Sequence, residues 1–346
     1  MAIKGNKYGT HRVIEPQGVL TQAAQQVDND MTKLYSNEII CDVAALNIDS
    51  ASFAQIKQAC GNKAGKISEM ILAIIEDRGK MQNPVTGSGG MFIGTVEYIG
   101  DDLKDRGLKV GDKIASLVSL SLTPLRIDKV KEIHMDIDRV DIEGKAVLFE
   151  SGIYAKLPDD MSQELALAAL DVAGAPAQTT KLARPGDSVL ILGAAGKSGI
   201  LCGLEAVKKA GVTGNVVASV RREEQGAELL ELGVCNRFIV ADATKPVELL
   251  AKALEANGGR EYDLSISCVN VEKCEMSAIL PVRDGGTVYF FSMATSFTRA
   301  ALGAEGVGKD VNMLVGNGYT KDHAEITLQA LRENDKIREL FNSKYV

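Results

Sequence analysis

Residues 188–203, "SVLILGAAGKSGILCG", constrain the fold more than any other stretch of the chain. Val189 to Leu192 are four consecutive apolar residues, the pattern of a buried strand. Gly193, Gly196 and Gly199 come next at three-residue spacing, and Ile200, Leu204 and Val207 then share one face of a helix. In such a strand–turn–helix the first glycine permits a sharp turn. The second lets backbone approach a pyrophosphate, and the third lets the helix pack close to the strand. The helix N-terminus presents free N–H groups and the positive end of the helix dipole to the phosphates. Taken alone, three glycines so spaced describe a tight turn equally well.

The chain beyond Gly203 favours the phosphate reading. "NVVASV", "RFIVAD", "YDLSIS", "TVYFFSM" and "VNMLVG" read as strands, and "EEQGAELLELG" and "PVELLAKALEAN" as helices between the first of them. Strand–helix alternation of this kind predicts a doubly wound parallel sheet. Gly193, Ala195, Gly196, Lys197, Ser198 and Gly199 are then candidate contacts to the phosphates of a dinucleotide. At the end of the second strand, where an acid would bond the adenosine ribose of NAD, the chain reads "VVASVRREE". Ser219, Arg221 and Arg222 stand there instead, a hydroxyl and two guanidinium groups that suit a 2′-phosphate. The expected cofactor is NADP(H), with NAD(H) as the alternative, and the competing reading of the two arginines is a solvated turn opposite Glu223 and Glu224. Ligands lie beyond the carboxyl ends of such strands. That rule points to Asp242 and Thr244 for the adenine, Cys268, Val269 and Asn270 for the nicotinamide ribose, and Ser292 and Met293 for the ring. Cys268 has no histidine to support thiol chemistry, so packing is its expected role.

The first half has a different texture. "EIICDVAALNID" and "MFIGTVEYIG" are rich in strand formers, and "VGDKIASLVSL" and "KAVLFESGIYAKLP" continue that character. Between the first two, Ile67, Met70, Ile71, Ile74 and Ile75 recur at helical spacing before Gly79, a natural stop. "PDDMSQELALAALDVAGAPAQTTKLARPGD" reads as a linking helix and "DHAEITLQALRENDKIRELFNSK" as a final one. The expectation is an α/β chain: a β-rich domain over 1–165 and a dinucleotide-binding domain over 166–346, with the last helix free to pack back on the first domain.

Composition narrows the classes. The six cysteines include no CxxC pair, which argues against a disulfide framework or structural zinc. No apolar run reaches the ~18 residues that span a bilayer, and "MAIKGNKYGTHRVIEP" lacks the apolar core of a secretion signal. A cytoplasmic protein is expected. A net charge of −7 argues against a nucleic-acid surface.

The segments "GTVEYIG", "LKVGDKIASL", "ARPGDSVLILGAAGKSG" and "GAELLELGV" resemble the medium-chain dehydrogenase/reductase superfamily in order and spacing. That resemblance implies a GroES-like β-rich catalytic domain, a C-terminal Rossmann domain, an active site in the cleft, and a homodimer. Zinc-dependent members carry a cysteine on the early loop and a Gly-His-Glu before the "GTVEYIG" strand. Here Asn47 falls at the cysteine position, the second site reads "GSGGMF", and none of His11, His134 and His323 stands at a ligand position. Catalytic zinc is not expected. More closely, "KGNKYGTHRVIEPQGVLTQAA", "LNIDSASFAQI" and "GSGGMFIGTV" resemble the diaminohexanoate dehydrogenase family of anaerobic lysine fermentation. This implies oxidative deamination of a 3-amino group with NAD(P), releasing ammonia.

Such chemistry needs a base that neutralises the amine and then activates water, together with groups that take a second ammonium and a carboxylate. Asp171 is a candidate because it interrupts an apolar helix, where an unpaired acid is costly to bury; the competing reading is a helix-end acid paired with Arg or Lys. Asn47, Asp49 and Ser50 are candidates because the resemblance sets their loop against the nicotinamide, while Asn, Asp and Ser are also ordinary turn residues. Two other functions remain open. A zinc-free quinone or enone reductase would have an apolar substrate pocket, and a non-catalytic NADPH-sensing protein would lack an ionisable group near the ring.

Overall fold

The computed structural model describes residues 3–316 and 318–346. The chain divides into two compact units, residues 1–159 and 160–346.

The first unit contains strands β1 (Val13–Glu15), β2 (Gln26–Val27) and β3 (Glu38–Ile48), helices α1 (Ser50–Ala59) and α2 (Ala64–Arg78), then β4 (Gly90–Ile99), β5 (Lys113–Ser116), β6 (Leu125–His134), β7 (Arg139–Phe149) and β8 (Tyr154–Lys156). The last six of these strands form one antiparallel sheet in the order β6-β7-β3-β4-β5-β8. One face of β3 (Ile39, Cys41, Val43, Leu46, Ile48) packs with Phe53 and Ile56 of α1 and with Ile67, Ile71, Ile74 and Ile75 of α2. These four isoleucines repeat at the spacing of a helical stripe, which is why α2 forms there. Gly79 ends α2 at φ +69°, its N–H bonded to the Ile75 carbonyl. A side chain is excluded at Gly79, because a Cβ would lie 2.0 Å from the Val27 carbonyl oxygen. A separate helix, α1, precedes α2, and the two are divided around Gly61, Asn62 and Lys63, where Gly61 and Asn62 both take positive φ.

The N-terminal segment is tied to the sheet by a buried ion pair. The Arg12 guanidinium donates from Nε to Glu38 Oε1 (2.7 Å) and from Nη2 to Glu38 Oε2 (2.6 Å). Its remaining N–H groups go to the carbonyls of Asp28, Asp30 and Lys33. Both side chains are fully buried, so this complete set of bonds is what makes the charges tolerable there.

The second unit comprises α3 (Gln163–Leu170), α4 (Gly174–Leu182), β9 (Ser188–Leu192), α5 (Lys197–Ala210), β10 (Asn215–Val220), α6 (Glu223–Glu231), β11 (Arg237–Val240), α7 (Pro246–Ala256), β12 (Tyr262–Ser267), α8 (Glu275–Ile279), β13 (Val282–Phe290), α9 (Phe297–Val307), β14 (Asn312–Val315), α10 (His323–Glu333) and α11 (Asp335–Tyr345). Its six strands are all parallel, in the order β11-β10-β9-β12-β13-β14. Numbered within the unit this is 3-2-1-4-5-6, the dinucleotide-binding order with its switch point between the first and fourth strands. Every residue of β9 is buried, as a strand with helices on both faces requires. One apolar layer joins the sheet to helices that include α3, α5, α6, α10 and α11, and the other joins it to α7, α8 and α9.

Two expectations are corrected by the helix boundaries. The linking helix is two helices, α3 and α4, broken at Asp171–Ala173. The final helix is also two, because the Asn334 side chain accepts the Ile337 N–H and starts α11 afresh. The strand β6 is not among the segments read as strands from the sequence, and only Leu125 of its ten residues is buried.

Candidate active site

The glycine turn has the division of labour that its spacing predicts. Gly193 takes φ +72°, and a Cβ on it would stand 3.0 Å from both the Cys268 carbonyl carbon and the Val269 nitrogen. A Cβ on Gly199 would lie 2.4 Å from the Gly193 oxygen, so only glycine lets α5 start so close to β9. At Gly196 the nearest atom to an added Cβ is 3.6 Å away: the protein leaves that side open. Among the described residues, the backbone N–H groups of Lys197, Ser198 and Gly199 have no acceptor. Open space beside unpaired donors at a helix N-terminus is what a pyrophosphate needs, so the residues present fit a dinucleotide.

The strand ends gather the other expected cofactor residues near this turn. The Ala194 N–H bonds to the Ser219 carbonyl (3.3 Å) and the Cys268 N–H to the Leu192 carbonyl (3.0 Å). The Ser292 N–H bonds to the Ser267 carbonyl at 3.2 Å. Ser219 is buried, whereas Arg221 and Arg222 are exposed just past the end of β10. Their backbone N–H groups are held by the Gln225 side chain; among the described residues neither guanidinium is hydrogen-bonded, to Glu223 and Glu224 included, and Arg221 lies close enough to Asp242 to favour its ionised form. Asp242 accepts the backbone N–H (2.9 Å) and the hydroxyl (2.7 Å) of Thr244, which hold its carboxyl below the usual range. Cys268 and Val269 are half-buried, while Asn270 and Met293 are exposed. Ala195, Lys197 and Ser198 are half-buried around the turn.

The burial argument for Asp171 does not hold. Its side chain is 58 % exposed, it caps the end of α3, and its Oδ2 pairs with Lys197 Nζ at 2.7 Å. The interruption of the apolar pattern marks the end of a helix. By the same contact, the Lys197 ammonium is engaged by a carboxylate within the protein.

In the first unit, Asn47 is the penultimate residue of β3, and Asp49 caps α1 by accepting the Ser52 N–H on Oδ1 at 3.0 Å. Ser50, the first residue of α1, is exposed. Asn47 Oδ1 and Asp49 Oδ2 are both buried and have no hydrogen-bond partner among the described residues. Both are acceptors, so what this strand end lacks is a donor. Leaving two such atoms unpaired costs about 1–3 kcal/mol each, a cost characteristic of a site completed by a ligand. Alongside lies a chain of hydroxyls, with Ser52 Oγ 2.5 Å from Thr86 Oγ1 and 2.8 Å from Ser88 Oγ.

Sequence reasoning missed two features. A cavity of about 340 Å³ lies at the carboxyl ends of β13 and β14 beside α4, lined by Gln178, Lys181, Tyr289, Thr320 and Lys321 among others. Only its position beyond strand ends was inferable. The second is Arg139, the cross-strand partner of Asn47, from which 91 intervening residues separate it in sequence. No local pattern signals that pairing. Of the three histidines, His11 bonds Glu38 at 2.8 Å, His134 pairs across the strands with Arg139 and bonds Asp141 at 3.1 Å, and His323 is buried at the start of α10 with its N–H on the Thr320 carbonyl. Glu132, His134 and Asp141 bring their ligand atoms within 4.8 Å of one another, with Arg139 bonded to the same Asp141 carboxylate.

An all-parallel 3-2-1-4-5-6 sheet with this turn, preceded by an antiparallel β unit, defines the medium-chain dehydrogenase/reductase fold. Solved structures agree. The quinone oxidoreductase from Coxiella burnetii is 18 % identical with a TM-score of 0.53, over 90 % of this chain and 88 % of that one. AibC is 16 % identical with a TM-score of 0.52, over 86 % and 80 %. Likeness in sequence is far greater elsewhere. The N-terminal domain of L-erythro-3,5-diaminohexanoate dehydrogenase matches residues 11–158. The L-erythro-3,5-diaminohexanoate dehydrogenase of Acetoanaerobium sticklandii is 66 % identical over 99 % of this chain and 100 % of its own length. That of Fusobacterium nucleatum is 62 % identical over 99 % of each. The chain belongs to the L-erythro-3,5-diaminohexanoate dehydrogenase family.

Proposed function

We propose that the protein catalyses NAD(P)-dependent oxidative deamination of L-erythro-3,5-diaminohexanoate to 5-amino-3-oxohexanoate and ammonia, a step of lysine fermentation. The observation that carries this reading is the end-to-end identity with two dehydrogenases of that name. The local chemistry supports it over the alternatives. A quinone pocket would be apolar, whereas Asn47 Oδ1 and Asp49 Oδ2 are buried acceptors in want of donors. An amine supplies such donors.

Gly193, Ala195, Gly196, Lys197, Ser198 and Gly199 would hold the pyrophosphate of the cofactor, with Asp242, Cys268, Val269, Asn270, Ser292 and Met293 along the strand ends that border it. A bound nicotinamide would supply the hydride acceptor for the carbon that bears the amine. Asn47 orients the amine through its carbonyl oxygen, and Asp49, with one oxygen anchored by α1, offers the other to the proton that the amine loses. Ser50 stands next in line to hold water. Asp171 acts through Lys197 by fixing the position of its ammonium. Ser219 and the exposed Arg221 and Arg222 favour NADP(H) over NAD(H). A homodimer, cytoplasmic location and zinc-free chemistry complete the reading. For the solution state, sedimentation at several concentrations is the check.

The direct test is reduction of NADP⁺ and NAD⁺ by the purified protein at alkaline pH with 3,5-diaminohexanoate, with lysine and a quinone as controls. Turnover confined to the diamino acid is expected. Turnover of the quinone with no response to the diamino acid would reverse the assignment.

A further inference from the structure

β3 and β7 pair antiparallel with Asn47 opposite Arg139 and Ala45 opposite Asp141. Directly opposed residues present their side chains on one face, with Cβ atoms about 4.5–5.5 Å apart. The other face is the core side, where Leu46 opposes Val140 and both are fully buried. Asn47, Arg139 and Asp141 therefore share the half-exposed face of the sheet, and Asp49 follows directly after β3 as the cap of α1.

Arg139 is set up differently from the fully buried Arg12 of the same unit. Arg12 uses all of its N–H donors internally. The Arg139 side chain is 23 % exposed, yet it spends only Nε, on Asp141 Oδ1 at 2.7 Å. Among the described residues, neither Nη1 nor Nη2 has an acceptor. His134 Nε2 lies 3.1 Å from the other oxygen of Asp141, so the carboxylate that aims the guanidinium is itself held. The result is a fixed fork with its outer edge vacant, beside an amide whose carbonyl oxygen lacks a donor. A planar fork of this kind matches a carboxylate.

We propose that Arg139 binds the carboxylate of the substrate while Asn47 and Asp49 take the neighbouring amine, so that this sheet face selects a β-amino acid. The inference rests on the function proposed above and adds to it the group that reads the carboxylate. In a 3-amino acid the nitrogen and the carboxyl carbon are separated by two carbons, a span of about 4 Å by ordinary bond lengths. That span suits two side chains on directly opposed residues.

The test is steady-state kinetics of the wild type, Arg139→Gln and Arg139→Lys, with 3,5-diaminohexanoate and its C1 carboxamide as paired substrates. NADPH affinity is measured in parallel by fluorescence. The wild type is expected to prefer the acid. Arg139→Gln raises KM for the acid by at least about tenfold, the loss of a charge-assisted pair. It also brings the acid-to-carboxamide ratio of kcat/KM towards unity, with NADPH affinity unchanged. Arg139→Lys keeps the charge but not the fork and falls between the two, and it carries the test if the glutamine variant does not fold. An unchanged ratio in a folded variant overturns the inference alone. A wild type inert towards the diamino acid overturns the functional reading, and this inference with it.

Discussion

Lys197, the first residue of α5, and Asp171, the residue that ends α3, hold each other at 2.7 Å. The ion pair joins the glycine turn to the helix pair before β9. Both side chains are partly exposed, and pairs of that kind contribute about 0–1 kcal/mol. Asp171→Asn is therefore expected to leave the melting temperature within about 2 °C of wild type and to change NADPH affinity by less than about threefold. Differential scanning fluorimetry and a fluorescence titration check this. A loss of kcat of two orders of magnitude with unchanged cofactor binding would instead make Asp171 the catalytic base.

Gly196 and Gly199 should separate folding from cofactor binding. A methyl group on Gly196 meets open space in the protein, with its nearest atom at 3.6 Å, whereas one on Gly199 meets the Gly193 oxygen at 2.4 Å. Gly196→Ala is expected to fold with near-wild-type stability and to bind NADPH at least about tenfold more weakly, since the methyl occupies the space where backbone approaches pyrophosphate. Gly199→Ala is expected to melt several degrees lower even without cofactor. Equal melting temperatures for the two variants would contradict this division.

Arg221 and Arg222 stand exposed beyond β10 with no hydrogen bond from either guanidinium among the described residues, so removing them should be felt through the 2′-phosphate. The double alanine variant is expected to weaken NADPH binding by about ten- to a hundredfold, the worth of one or two charge-assisted bonds, and NADH binding by less than about threefold. Titrations of both dinucleotides at two salt concentrations measure it. Equal losses for the two would remove the basis for an NADP(H) preference.

The glycine turn, the parallel sheet and the half-chain β texture were legible because each rests on local pattern: glycine spacing, apolar runs, and 3.6-residue periodicity in α2 and α5. The breaks at Asp171–Ala173 and Asn334 were not, since a capping residue within a periodic stretch looks like one more polar position. Asp171 is the instructive case: its apolar neighbours are visible in the sequence, its own exposure is not. Arg139 lay beyond sequence reasoning altogether, because its place beside Asn47 depends on pairing between strands remote in the chain.

Lys80 offers a prediction about stability. It is fully buried, donates to the Thr21 carbonyl at 2.6 Å, and has no carboxylate partner among the described residues; burial pulls its pKa from 10.5 down to about 8. The folded state thus releases this proton more readily than the unfolded chain. Between pH 8 and 10.5 the unfolded chain binds more protons at this site, so stability contributed here rises with pH. The upper limit is on the order of 3 kcal/mol. Urea unfolding across that range should show the rise in wild type and its loss in Lys80→Met; parallel profiles for the two would rule out Lys80 as the cause.

Oxidative deamination requires that the substrate's 3-amino group leave as ammonia while a nicotinamide is reduced. Its most direct measurement is the stoichiometry of ammonia and NADPH produced from L-erythro-3,5-diaminohexanoate by the purified protein. One ammonia per NADPH, with both lost in Asp49→Asn, is the result expected. NADPH formed without ammonia, or ammonia released without cofactor reduction, would contradict it.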